Sequence, residues 1–170
     1  MTFVQNSTFS ASLTISFLSS LFSVTFNRCN SLADISCLSQ VPYIRLCSCP
    51  ALQSLQGLNP KLLKRIVIQN CDRIVSFIEI DGCEEVEIHR CPKFKDPSQL
   101  QNVKKLTIIC CPIPPEVPYL GNISSLKIVE CRLRSVTGLS NVPIIEIKDC
   151  RTIKDLHLLQ NNQKITFDYD

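Results

Sequence analysis

Tryptophan is absent from the 170 residues, glycine occurs only four times and histidine twice. Scarce glycine argues against a Gly-rich phosphate loop and against a series of hairpins, both of which need residues that accept positive φ. No H-E-x-x-H, P-loop or nucleophile-elbow motif is present, so none of the common hydrolase or NTPase signatures is available. Charge of one sign never accumulates into a block of five. With 18 Lys and Arg against 15 acids, the net charge of +3 lacks the footprint of a nucleic-acid binder. The most apolar stretch, residues 10–26, is broken by Ser and Thr too often to read as a membrane span. Cysteine, by contrast, is abundant. Eleven occur in a chain that is 45% apolar and 19% charged, a composition that suits one domain with a sizeable core.

Seven of the cysteines keep time. Cys29, Cys49, Cys71, Cys91, Cys111, Cys131 and Cys150 are separated by 20, 22, 20, 20, 20 and 19 residues. A disulfide framework in a small domain has no reason to be periodic, whereas stacked repeats do. Eight, five and three residues before each cysteine stands an apolar residue or another Cys, as in Val103, Leu106 and Ile108 before Cys111 and Ile123, Leu126 and Ile128 before Cys131. The spacing of two within each unit, on largely β-branched residues, predicts a short strand. Apolar residues then recur at steps of three, as in Leu52, Leu55 and Leu58 or Ile74, Phe77 and Ile80, which predicts a tight 3₁₀ or extended return. Pro114, Pro115 and Pro118 favour an extended return in their unit.

The pattern L-x-x-L-x-L-x-x-N/C, matched seven times in register with Cys in the last place, resembles the leucine-rich repeat family. The resemblance implies an α/β-type repeat solenoid of about eight repeats of ~20 residues: a right-handed coil, a parallel β-sheet on its concave face, and short return segments. One detail departs from the family. The apolar residue usually two positions after the Asn/Cys stands three after it at Leu32, Leu52, Ile74, Phe94 and Ile153; only Ile113 and Leu133 keep the usual offset. The resulting I-x-x-C-x-x-L form is similar to irregular repeats of plant immune receptors and other eukaryotic proteins.

A single solenoid is expected over residues 1–170, with 1–23 as a degenerate N-terminal repeat or cap, 24–164 as regular repeats and 165–170 as a terminal strand or truncation point. Residues 1–23 are read as a repeat in preference to a signal peptide. No Lys or Arg precedes Arg28, and Val4, Phe9, Ile15, Leu18 and Leu21 stand twenty before Val24, Cys29, Ile35, Leu38 and Val41. The ladder cysteines are expected to be reduced and packed in an interior corner, since Cys is small, nearly apolar and a weak donor. That favours a cytoplasmic setting, with the triplets at Asn6 and Asn122 leaving secretion as the alternative. No metal site, cofactor or membrane span is expected; in Cys47–Cys49 and His89–Cys91 the first member is expected to face out and the second is the ladder cysteine, whereas zinc needs convergent ligands.

Function is expected on the outward strand positions six, four and two before each ladder cysteine. The patch Tyr43, Arg45, Arg65, Gln69 and His89 is the candidate partner-binding surface, because it combines an aromatic residue with two Arg. Sign alternation along Arg65, Glu85 and Lys105 also serves the sheet itself. The function expected is a non-enzymatic interaction module or scaffold, a monomer binding another protein, with no nucleic acid. Two alternatives are a carbohydrate-active parallel β-helix, for which Glu85 and Glu87 would be the carboxylates, and a fragment of a larger sensor or adaptor.

Overall fold

The computed structural model describes residues 2–5, 21–150 and 153–168. Nine strands form one parallel sheet in chain order: β1 (Thr2–Gln5), β2 (Ser23–Asn27), β3 (Tyr43–Cys47), β4 (Arg65–Gln69), β5 (Glu85–His89), β6 (Lys105–Ile109), β7 (Ser125–Val129), β8 (Ile144–Lys148) and β9 (Lys164–Asp168). Each coil contributes one strand, so neighbours in sequence are neighbours in space. Apart from one isolated bridge between Glu116 and Ser135, the described return segments add no second sheet. This is a solenoid of the leucine-rich-repeat kind. The described residues do not form a parallel β-helix, which wraps several sheets around its core.

Register turns the sequence period into apolar columns. Val24, Ile44, Ile66, Val86, Leu106, Leu126 and Ile145 align across the strands, as do Phe26, Leu46, Ile68, Ile88, Ile108, Ile128 and Ile147. All are buried, and no polar or charged residue is buried with them among the described residues. Each fully buried Leu or Ile contributes about 1.5–3 kcal/mol, which no single coil can collect alone because its inward face has nothing to pack on. Phe77 and Phe94 meet edge to face in the interior, 4.8 Å between ring centroids.

Of the returns with the offset of three, those after Leu32, Ile74, Phe94 and Ile153 run through 3₁₀ turns, at Ser36–Leu38, Ile78–Ile80, Pro97–Leu100 and Leu156–Leu159, while the return after Leu52 does not; the offset-two return after Leu133 has one at Thr137–Leu139. The departure in spacing has a direct cause in the corner. Where the apolar residue stands three after the cysteine, its N–H closes on the cysteine carbonyl: Leu32 on Cys29 and Leu52 on Cys49, each at 3.3 Å, and Phe94 on Cys91 at 3.1 Å. Where it stands two after, the shorter loop of a γ-turn forms, from Ile113 to Cys111 at 2.9 Å. Glycine matters at Gly138, where a Cβ would collide with the carbonyl oxygen of Val117 in the preceding Pro-rich return.

Two expectations change. Val4 pairs with Phe26 and Thr2 with Val24, so the first interval is 22 residues and Val4 does not stand opposite Val24. Phe9, Ile15 and Leu18 lie outside the described residues. Val67, expected on the open face of the sheet, is only 4% exposed. It is a short side chain flanked in register by the much longer Arg45 and Glu87, which screen it from solvent. No helix among the described residues is long and apolar enough to cross a membrane.

Candidate functional site

The corner after each strand explains why cysteine returns. The residue before every ladder cysteine, namely Arg28, Ser48, Asn70, Arg90, Cys110, Glu130 and Asp149, is left-handed, with φ between 50° and 55°. Its N–H reaches forward to a strand carbonyl of the next coil, for example Ser48 to Gln69 at 2.8 Å and Arg90 to Ile109 at 2.9 Å. That turn drives the following thiol inward. All seven ladder cysteines are buried, and none of the eleven cysteines is bridged. The thiols donate to carbonyls two residues back and, in the middle coils, to the coil before. Cys91 donates to His89 at 3.4 Å and Ile68 at 3.7 Å, and Cys111 to Ile109 at 3.3 Å and Ile88 at 3.6 Å. Burial pushes the thiols of Cys91 and Cys131 up to about 12, and that of Cys83, which donates to the carbonyl of Leu63 at 3.1 Å, up to about 11. These are interior fillers without thiolate character. Cys37, Cys47 and Cys110 are the partly exposed cysteines; at Cys110 burial and then the Glu130 carboxylate, 2.7 Å away, also raise the thiol. Among the described residues no group of three or more His, Cys, Asp or Glu is arranged to hold a metal ion.

The five candidate binding residues lie on three adjacent strands. Tyr43 stands opposite Arg65, and Gln69 opposite His89. Arg45 donates to the Gln69 side chain at 3.3 Å, and that oxygen also takes the Cys47 thiol at 3.9 Å. Arg65 leans away from Tyr43. It donates to Glu87 and lies 3.7 Å from Glu85, and the bond to Glu87 is the main reason its guanidinium pKa rises. His89 Nε2 is 3.3 Å from Glu87 but not aligned for a hydrogen bond, which leaves it buried without a partner. Burial holds the imidazole below its ordinary range, with Arg45 and Arg90 adding to the effect and Glu87 opposing it.

The five thus divide. Arg65 is tied to the carboxylates of β5, His89 is half-buried beside Glu87, Gln69 serves its neighbours, and Tyr43 and Arg45 are exposed. Sequence columns missed Phe22, which sits one residue before β2, is 73% exposed, and places its ring 4.9 Å from that of Tyr43. They also missed two shallow hollows on this face. One is lined by Ser23, Thr25, Tyr43, Arg45, Arg65 and Val67, among others. The next is lined by Thr25, Asn27, Arg28, Arg45, Gln69 and Asn70, among others. Farther along, Lys127 and Lys148 both pair with Glu146, at 2.9 and 3.2 Å, and the Lys127 bond is the first cause of that carboxyl's lowered pKa.

Fold and site together define an interior ladder of thiols under a sheet face of mixed charge, in a leucine-rich-repeat solenoid. The solenoid is similar to the crystal structure of internalin C2 from Listeria monocytogenes, a leucine-rich-repeat protein. The TM-score is 0.60 at 15% identity, over 90% of this chain and 74% of that one. No family model matches the sequence. No curated protein matches it either.

Proposed function

We propose that the chain is a protein-interaction module that receives its partner on the sheet face, around Tyr43 and Arg45, and performs no catalysis. The observation that supports this reading is the exposed Phe22–Tyr43 ring pair beside Arg45, on a rigid sheet whose inward residues are all spent on packing. Exposed aromatic and Arg side chains on a preformed surface are the usual anchors of protein recognition. The carboxylates that catalysis would use, Glu85 and Glu87, are both held by Arg65 and sit on an open sheet, which supports a structural role for them. Eleven unbridged thiols fit work in a reducing compartment such as the cytoplasm. The Cys-containing spacing fits the irregular repeats of plant immune receptors.

The test is affinity capture from cell lysate with wild type, with Tyr43→Ala combined with Arg45→Ala, and with Tyr119→Ala on the return side. Arg65 is spared because its removal would free Glu85 and Glu87. The expected outcome is loss of captured partners in the double variant alone, with an unchanged circular dichroism spectrum. Loss with Tyr119→Ala alone would move the binding surface to the convex side.

A further inference from the structure

The charges on the sheet face are unevenly matched. Its acids begin at β5, where Glu85 and Glu87 are engaged by Arg65; toward the other end Glu146 is engaged by Lys127 and Lys148, and Asp168 by Lys148. Strands β2 to β4 carry no Asp or Glu at all. Both hollows on these strands include Arg45 in their walls, the second also includes Arg28, and no carboxylate lines either. Among the described residues no carboxylate is within ion-pair distance of Arg28 or Arg45. Arg45 spends one bond on the neutral Gln69 oxygen and keeps the rest of its fork open. An apolar pad, Phe22 on Tyr43, adjoins the first hollow.

We propose that this face takes an extended, acidic protein segment, with a carboxylate at Arg45, between the two hollows, and a large apolar side chain on the Phe22–Tyr43 pair. The proposal rests on the sheet face being the binding surface, and it adds the partner's chemistry. Tyr43 and Arg45 are two residues apart on one strand, about 6.6 Å at the usual rise. Alternate side chains of an extended segment repeat at the same distance. The carboxylate and the apolar group are therefore two residues apart in the partner. The basic field is narrow. It spans the two hollows and stops at β5, whose carboxylates would repel a further anion. A polyanion needs several phosphate contacts in a row, whereas one or two carboxylates fit the width available.

The probe is a capped peptide, Gly-Ser-Glu-Ser-Leu-Ser-Gly, titrated into the isotopically labelled chain and followed by heteronuclear NMR, beside the same peptide with Gln for Glu. The Glu peptide is expected to move the resonances of Phe22, Thr25, Tyr43 and Arg45, and the Gln peptide to bind about fivefold more weakly, as for one exposed ion pair. Arg45→Gln should erase the difference between the two peptides, and so should about 0.5 M salt. Equal binding of both peptides at these resonances would sink the acidic partner and leave the sheet-face reading standing. No perturbation at millimolar peptide would overturn the acidic-segment proposal alone, and perturbation confined to Tyr119 and the return segments would overturn both. A ten-residue oligothymidylate that moves the same resonances at lower concentration than the Glu peptide would also overturn the proposal, in favour of a nucleic acid.

Discussion

Ser48 offers a sharp test of the corner geometry. Its φ of 53° lies in the left-handed region, and its N–H is committed to the Gln69 carbonyl at 2.8 Å, which holds the residue there. A non-glycine residue in that region is disfavoured by about 1–2 kcal/mol. Ser48→Gly removes that penalty and returns about 0.4–1 kcal/mol through the greater freedom of the unfolded chain, so the net change is a stabilisation of up to about 1.5 kcal/mol. Ser48→Val acts in the opposite sense. A β-branched side chain is a genuine outlier at this φ, and strain of about 1–3 kcal/mol is expected. The two variants should therefore differ by about 1–4.5 kcal/mol, which for a chain of this size is at least about 2 °C in melting temperature. Urea and thermal unfolding by circular dichroism would measure it, with midpoints compared directly because stacked repeats need not unfold in two states. Equal midpoints for the Gly and Val variants would show that the residue before the ladder cysteine is not left-handed.

The inside and outside of the strand should respond very differently to substitution. Cys111→Arg places an unpaired charge in a packed corner that is 3% exposed and costs several kcal/mol, whereas Lys127→Ala breaks one exposed pair with Glu146 and costs at most about 1 kcal/mol, as read from urea midpoints. Cys83, Cys91 and Cys131 should be slow to react with iodoacetamide in the native protein even at pH 9, because burial raises their thiols to about 11 to 12, while denatured protein should label at all eleven positions without reductant. Mass spectrometry that finds most of them bridged would refute the reduced ladder and the cytoplasmic setting with it.

The sequence by itself determined the repeat, the strand positions and the buried columns. In a stack with one strand per coil, a period near twenty residues becomes lateral adjacency, and a spacing of two becomes a side of the sheet. For that reason Ile68, Ile88 and Ile108 could be placed inside and Tyr43 and Arg65 opposite each other from spacing alone. What only the tertiary structure decided lies in how far side chains reach and how the corners turn. Long side chains span more than one strand, so Arg65 faces Tyr43 in register yet bonds to Glu87, and Val67 is outward in sequence yet covered by its neighbours. The left-handed corners carry Arg, Ser, Asn, Cys, Glu and Asp where glycine would have signalled them. Their conformation is set by bonds to the next coil, which exist only once the coils have stacked.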